Sequence, residues 1–301
     1  MKIVVSTSTF ASASNEPLDL LKSNGFEIVI NPYGRKLSQE EIIKLLNGAS
    51  GLLAGLESLD STVFESAPML KAISRIGIGL DNVDLDAANQ FGIKVSNTPD
   101  APTIAVAEMT IAAALSITRN IVSSNLDMHN KNWEKSIGFG LNDANVLFIG
   151  YGRIGQKTAE YFRLMGANIY VYDPNLTDQD IKENDTLIDL SEGLQLADII
   201  TIHSSGKTPI ITDQNFRKIK KGAILLNSAR GNLIEENVLI KALDDNIISN
   251  AWLDVFQEEP YYGDLCTYDN VLLTPHISTY TTQCRKNMEI AAVKNLIKIL
   301  K

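Results

Sequence analysis

The chain has 301 residues, enough for about two domains of ordinary size. It is 45% hydrophobic and 21% charged, which excludes a disordered, collagen-like or coiled-coil chain. Lys and Arg total 27 against 36 Asp and Glu, a formal net charge of −9, so nucleic acid is a poor candidate partner: phosphate binding is driven mostly by cations.

The N-terminus has three apolar residues after Lys2 and then turns polar at Ser6. A signal peptide needs an apolar core of about 7–15 residues. A membrane helix needs about 18 or more apolar residues. A buried first strand over Lys2–Val5, a cytoplasmic location and no membrane contact are therefore expected. Residues 17–23 are helix-like and stop at Asn24-Gly25. Glu27–Ile30 reads as a strand. Ser38 opens a helix reaching about Leu46, with Glu41 completing a capping box. Residues 51–54 and 71–75 are further strands. The alternation predicts an α/β fold with parallel sheets covered by helices.

Asn97-Thr98-Pro99-Asp100-Ala101-Pro102 is turn-rich and marks a hinge. Residues 103–118 are rich in Ala, Ile and Met, almost without charge, which predicts a helix buried in a core or between subunits. A second alternating series follows. It has strands at residues 146–149, 169–172, 223–226 and 251–255, and at Ile199–Ile202 and Val271–Leu273, with a helix over 154–165. An amphipathic helix over 281–300 is expected to pack back on the first domain. Cys266 and Cys284 have no metal-ligand spacing, so reduced thiols and no metal are expected.

Gly150-Tyr151-Gly152-Arg153-Ile154-Gly155 is a G-x-G-x-x-G sequence following an apolar strand and opening a helical pattern. In that context it predicts a dinucleotide site. Gly150 permits the tight turn, Gly152 lets backbone approach a pyrophosphate, and Gly155 lets the helix sit close to the strand. Helix N-terminal N–H groups complete the anion site. Asp173, eighteen residues after Gly155, ends the next strand. A carboxylate there accepts from a ribose 2′-OH and repels a 2′-phosphate, which favours NAD over NADP; its structural alternative is a turn residue before Pro174.

Arg230, Glu259 and His276 each follow a predicted strand. Strand carboxyl ends carry the ligand site in open α/β sheets, so three ends can deliver a cation, an acid and an imidazole to one crevice. That trio suits a 2-hydroxy acid. A planar guanidinium can hold carboxylate and keto oxygens. An imidazole can take the hydroxyl proton and return it in reverse. A carboxylate beside it favours the imidazolium form and fixes the tautomer. His129 reads as a surface-helix residue and His203 as a strand-end residue near the cofactor.

The chain resembles the D-isomer-specific 2-hydroxyacid dehydrogenases, most closely their phosphoglycerate dehydrogenase-like branch. The markers are Arg75-Ile76-Gly77-Ile78-Gly79-Leu80-Asp81-Asn82-Val83-Asp84, Asn97-Thr98-Pro99, Val106-Ala107-Glu108, Pro275-His276 and residues 150–155, 227–231 and 254–260. The resemblance implies two doubly wound parallel-sheet, Rossmann-like domains with an interdomain cleft. Residues 1–97 plus 281–301 would bind substrate and residues 98–280 would bind NAD. It implies that Arg230 binds substrate and that Glu259 supports His276, the acid/base. Arg153 and Ile154 would flank the pyrophosphate, and Asp173 would hold the adenosine ribose. Ile78, Ser204, Ser228, Ala229 and Asp254 would contact NAD, Asp254 near the nicotinamide amide. Backbone amides of Ile76, Gly77, Ile78 and Gly79 would form a nest for the substrate carboxylate. Family members commonly dimerise through the cofactor domain, which would account for the apolar 103–118 helix.

Three departures stand out. The segment Ser204-Ser205-Gly206-Lys207-Thr208-Pro209 is shorter than the family's, which weakens Ser204 as a cofactor contact. Ile78 stands where Thr or Val is frequent. The chain stops at Lys301, so feedback by serine through a C-terminal regulatory domain is not expected. Phosphoglycerate would need cations for its phosphate, for which Arg75, Arg35 and Lys36 are candidates. It is favoured narrowly over hydroxypyruvate, glyoxylate or another 2-keto acid. A non-enzymatic NAD-sensing, corepressor-like protein and a phosphite- or formate-oxidising relative are the alternatives. The complete trio opposes the first. Glu259, where formate enzymes carry Gln, opposes formate but not phosphite.

Overall fold

The structure, a computed structural model, describes residues 1–301 except Glu183 and Lys207. The first part of the chain forms β1 (Lys2–Val5), α1 (Glu16–Ser23), β2 (Glu27–Ile30), α2 (Gln39–Leu46), β3 (Ala49–Ala54), α3 (Ser61–Glu65), β4 (Ala72–Arg75), α4 (Leu85–Gln90) and β5 (Lys94–Ser96). Next come α5 (Pro102–Thr118), α6 (Ile121–His129), β6 (Asn145–Ile149), α7 (Arg153–Leu164), β7 (Asn168–Tyr172), β8 (Asp185–Leu187) and α8 (Leu190–Leu196). The chain continues through β9 (Ile199–Ile202), β10 (Ala223–Asn227), α9 (Glu236–Asp244), β11 (Ile248–Leu253), β12 (Val271–Leu273) and α10 (Thr282–Leu300).

Two compact units result, Met1–Pro102 with Thr279–Lys301, and Thr103–Ser278. The boundaries fall after 102 and 278, not after 97 and 280, because hydrogen bonds tie the turn-rich segment to the first unit. Thr98 N–H donates to Gly77 O, and Asn97 Nδ2 to Ile78 O at 2.7 Å. Asn97 and Ala101 carbonyls accept from Asn295 and Cys284 of α10.

The first unit is a parallel five-stranded sheet in the order β2-β1-β3-β4-β5. Helix α2 starts as the sequence predicts: Ser38 and Glu41 form a reciprocal capping box. Val4, Leu52, Ala54 and Ile73 build one core face. Helix α10 lies over Gly51, where a side-chain carbon would meet Ile3, Leu296 and Leu300 within about 3 Å.

The second unit is a parallel seven-stranded sheet, β12-β11-β10-β9-β6-β7-β8. Counted within the unit, its first six strands follow the doubly wound order, with the switch point between β6 and β9. Strand residues alternate between two cores. Leu147, Ile149, Ile200 and Leu225 enter one, and Val146, Phe148, Ile199 and Leu226 the other. Helix α5 buries Ile111, Ala113 and Ala114 in the second core and leaves Ile104 exposed. No single helix among the described residues is long and apolar enough to cross a membrane. Strand β11 spans Ile248–Leu253 instead of the expected 251–255, because half-buried Ser249 and Asn250 hide its start from a hydrophobicity pattern.

Candidate active site

The glycine turn sits at the switch point of the second unit. Gly150 adopts φ +94°, a conformation open to glycine. A side-chain carbon there would lie 2.8 Å from Ser204 N and from His203 C. At Gly155 one would lie 2.5 Å from Gly150 O, so the helix reaches the turn only with glycine. Gly152 is different: it is the N-cap of α7, provides no side-chain cap, and has nothing within 4 Å of its missing Cβ. Open space thus faces the first turn of α7, where Arg153, Ile154 and Gly155 begin the helix and early N–H groups lack intrahelical acceptors.

Asp173 follows β7 as the turn residue that its structural alternative expected. Its Oδ2 accepts from Tyr151 N–H at 3.0 Å, binding the glycine turn, and its Oδ1 accepts from Asn175 N–H at 3.1 Å in an Asx turn. Beneath the turn, the Tyr151 hydroxyl donates to buried Asp185, which Arg163 also grips through two nitrogens. Burial, with Asp185 beside it, pushes the Tyr151 phenol well above its ordinary range. His203 stacks on Phe148 with ring centroids 5.7 Å apart, and its Nε2 lies 2.9 Å from Thr201 Oγ1. Burial lowers the His203 pKa to about 3, so this imidazole is neutral near pH 7. His129 lies on exposed α6.

Register explains how distant residues meet. Asn227 of β10 pairs with Leu253 of β11, and Leu253 with Leu273 of β12. Neighbouring strands lie about 4.8 Å apart, so three loops start side by side. Asn227, buried, shapes the Arg230 turn: its Oδ1 accepts from Ala229 N–H and its Nδ2 donates to Arg230 O. Arg230 Nη1 donates to Ala229 O at 2.7 Å. At Gly231 a side chain would run into the Phe256–Gln257 backbone, so this glycine lets the Arg230 turn touch the loop bearing Glu259.

Glu259 Oε2 and His276 Nδ1 are 2.9 Å apart, and Glu259 Oε1 accepts from Phe256 N–H at 3.1 Å. A carboxylate only accepts, so Nδ1 carries the proton and Nε2 is left for other chemistry. Both side chains are partly exposed. Phe256 and Tyr261 stack at 4.3 Å and stiffen the loop, and Tyr261 OH donates to Glu236. Burial and Glu236 push the Tyr261 phenol up to about 12.

Asp254, expected beside a nicotinamide amide, is buried and accepts through both oxygens from the segment carrying His276. Sequence reasoning missed this tie; it counted residues 227–231 as a family marker but gave Asn227 and Gly231 no role of their own.

In the first unit, Gly77 N–H donates to Thr98 Oγ1 at 2.8 Å and Ile76 N–H to Ala54 O. Two of the four amides expected in a nest over residues 76–79 thus donate within the protein. Arg75 folds back and donates to Ile76 O, filling the space over Gly77. Asn82 Nδ2 donates to Glu57 O at 2.6 Å and holds the turn after β3. Glu57, 1% exposed, accepts from Ser6 Oγ and Gly55 N–H at the switch point of this sheet, between the ends of β1 and β3.

Comparison with known proteins gives this geometry a setting. Residues 111–278 match the family model of the D-isomer specific 2-hydroxyacid dehydrogenase NAD binding domain. A glyoxylate reductase from Thermofilum pendens is 34% identical over 278 residues, covering 88% of this chain and 82% of that protein. The chain belongs to the D-isomer specific 2-hydroxyacid dehydrogenase family. A D-3-phosphoglycerate dehydrogenase from Methanocaldococcus jannaschii is 36% identical over 275 residues, covering 88% of this chain but 52% of that longer protein. The crystal structure of a Thermus thermophilus protein, 29% identical, superposes with a TM-score of 0.89 over 100% of this chain and 97% of that one.

As a member of this family the chain is an oxidoreductase that uses NAD. Its own residues fit that cofactor. Ser228 Oγ is buried without a protein hydrogen-bond partner, beside the Arg230 turn, and Gly152 leaves an open cradle at the start of α7. Gly150, Gly152, Arg153, Ile154 and Gly155 would hold the pyrophosphate, and Asp173 the ribose. Ser228 would offer its hydroxyl. Ser204 backs onto Gly150, and its Oγ accepts from Gly206 N–H. Ala229 spends its N–H and carbonyl within the Arg230 turn. Lys207 of the shortened segment lies outside the described residues.

Proposed function

We propose that this dehydrogenase interconverts a short, non-phosphorylated D-2-hydroxy acid and its 2-keto acid, of the glycolate/glyoxylate or glycerate/hydroxypyruvate type. The observation that carries the reaction is the Glu259–His276 pair, built on a loop beside the Arg230 turn. Bound NAD supplies the hydride acceptor, and NADH the donor. His276, held at Nδ1, takes or returns the hydroxyl proton at Nε2. Glu259 steadies the imidazolium. Arg230 binds the carboxylate and keto oxygens through its planar fork.

The substrate reading rests on charge. Arg35, a candidate phosphate ligand, is paired bidentately with Glu41 at 2.7 and 2.9 Å. Arg75 turns back to Ile76 O. The switch point of the first sheet carries the buried carboxylate of Glu57, a poor neighbour for a phosphate dianion. The curated relatives include both glyoxylate reductases and phosphoglycerate dehydrogenases, so the test uses both acids. Purified protein with NADH is offered glyoxylate, hydroxypyruvate, pyruvate and phosphohydroxypyruvate, and loss of NADH absorbance is followed. Turnover with the first two, with kcat/KM for phosphohydroxypyruvate lower by about tenfold or more, is expected. A preference for phosphohydroxypyruvate would reverse the assignment and select phosphoglycerate as substrate.

The enzyme is also proposed to be a homodimer through the second unit. After α5, the segment from Ile121 to Phe139 exposes Leu126, Met128, Trp133 at 75% and Ile137 at 99%. Such a run of exposed apolar side chains marks an interaction surface. Light scattering should give twice the chain mass, falling to the chain mass in Trp133→Glu/Ile137→Glu.

A further inference from the structure

We propose that Glu57 and Thr7 form a subsite for a hydroxyl group on the carbon next to the keto carbon of the substrate, so that the enzyme prefers hydroxypyruvate and glycerate to analogues without that hydroxyl. The proposal rests on the reading of the substrate as a short, non-phosphorylated 2-keto acid. In an open α/β sheet, ligands bind outside the carboxyl ends of the strands, where the strand order turns. In the first unit that point lies between β1 and β3. Thr7 stands just past the end of β1, and Glu57 just past the end of β3. Both side chains reach the same spot. A side-chain carbon on Gly55 would lie 3.0 Å from Glu57 Oε2 and 3.3 Å from Thr7 Cγ2, so glycine at this position lets the two come together.

The two groups have complementary needs. Glu57 is buried, and its Oε1 accepts from Ser6 Oγ and from Gly55 N–H. Among the described residues no donor reaches its Oε2. An ionised carboxylate offers about four acceptor positions, so Oε2 keeps a capacity that burial makes costly to leave unused. Thr7 Oγ1 is shielded from solvent and has no hydrogen-bond partner. A hydroxyl both donates and accepts: it can donate to Glu57 Oε2 and accept from Thr7 Oγ1. A methyl group would leave both atoms unpaired. An ammonium would only donate and leave the Thr7 proton unused. A phosphate dianion would face a carboxylate. The loop is also held in place: Asn82 Nδ2 donates to Glu57 O at 2.6 Å and to Gly55 O at 3.3 Å, and Leu59 N–H donates to Asn82 O. Glu57 therefore stands on a fixed turn, as selection by hydrogen bonding requires.

The test compares hydroxypyruvate with pyruvate, which differ only in that hydroxyl, using purified protein and NADH. kcat/KM should favour hydroxypyruvate by about 10²-fold or more, since a site built to bond a hydroxyl rejects the analogue that lacks it. In Glu57→Gln, Ser6 Oγ and Gly55 N–H still require an acceptor in the place of Oε1. The amide nitrogen therefore takes the place of Oε2, where it can only donate. The preference should fall by about tenfold or more, with the loss on hydroxypyruvate rather than on pyruvate. The dissociation constant of NADH, from fluorescence titration, should stay within about twofold. Thr7→Val removes a hydroxyl that has no partner in the protein, so Tm should stay within about 2 °C while the preference falls severalfold. That variant carries the test if Glu57→Gln does not fold. Equal losses on the two acids in Glu57→Gln, or an unchanged preference in both variants, would overturn the subsite. Wild-type protein that turns over pyruvate as well as hydroxypyruvate would also overturn it, and would leave the non-phosphorylated reading standing. A preference for phosphohydroxypyruvate, or no turnover of any acid, would overturn the substrate reading and the subsite together.

Discussion

Two glycines three residues apart should respond to alanine in opposite ways. At Gly155 the added methyl would sit 2.5 Å from Gly150 O and 3.3 Å from Gly150 C, so turn and helix must separate by about 1 Å to restore ordinary contact. Overpacking of that kind costs about 3 kcal/mol where both partners are backbone. Alanine returns about 1 kcal/mol of helix propensity, for a net loss of about 2 kcal/mol. In a unit of this size that lowers Tm by about 4–8 °C. At Gly152 the backbone has φ −71° and ψ −167°, which alanine adopts freely, with open space around it. The weaker N-cap and the stiffer unfolded chain each contribute under about 1 kcal/mol with opposite signs, so Tm should move by no more than about 2 °C. The methyl then stands where the pyrophosphate would approach, and NADH affinity should fall about tenfold or more. Calorimetry measures the first quantity and NADH fluorescence titration the second. A Gly152→Ala protein that binds NADH like wild type would refute the cradle.

Asp173→Ala removes the acceptor of Tyr151 N–H and the negative charge at the end of β7, so NADH should bind more weakly and the NADH/NADPH affinity ratio should fall; parallel titrations with the two cofactors check it. Glu259→Gln can still accept from His276 Nδ1 but cannot balance an imidazolium, so kcat should drop about 10²-fold with NADH affinity unchanged, as stopped-flow and titration would show. His203 has a folded-state pKa of about 3, below its ordinary value of 6.5. Its neutral form therefore stabilises the fold fully above about pH 6.5, and that stability is lost as pH falls toward 3, by up to about 1.4 kcal/mol per pH unit. Urea unfolding of His203→Gln should show a shallower acid limb in that window.

What could be read from the chain was local. The capping box at Ser38 and Glu41 lies within four residues, and the glycine turn, Asp173 and their strands lie within one βαβ unit. What escaped was either short or long-range. Strands β5 and β8 have three residues each and are broken by polar ones, Lys94 and Ser96 in β5 and Asp185 and Thr186 in β8, so they lack the apolar run that makes the equally short β12 legible. Glu57 looks like any surface acid in Leu56-Glu57-Ser58, and only the folded switch point shows it buried. The hydrogen bonds of Asp254 come from donors twenty or more residues later, which no local spacing reports.

The parallel sheet itself explains why such long-range ties cluster at the site. Each strand of the second unit ends at the same edge, so the exits of β10, β11 and β12 are neighbours whatever the loop lengths between them. Asn227 and Asp254 stand at two of those exits and are joined by an N–H···O bond, one shaping the Arg230 turn and the other the His276 segment. Guanidinium and imidazole are thereby referenced to the same pair of hydrogen-bonded strands. A change that slides β11 against β10 would displace both groups together, whereas a change in the loop over residues 254–260 would disturb the Glu259–His276 bond and leave Arg230 in place. Rigid strand ends thus fix the positions of the reacting groups, and the loops adjust only their orientation.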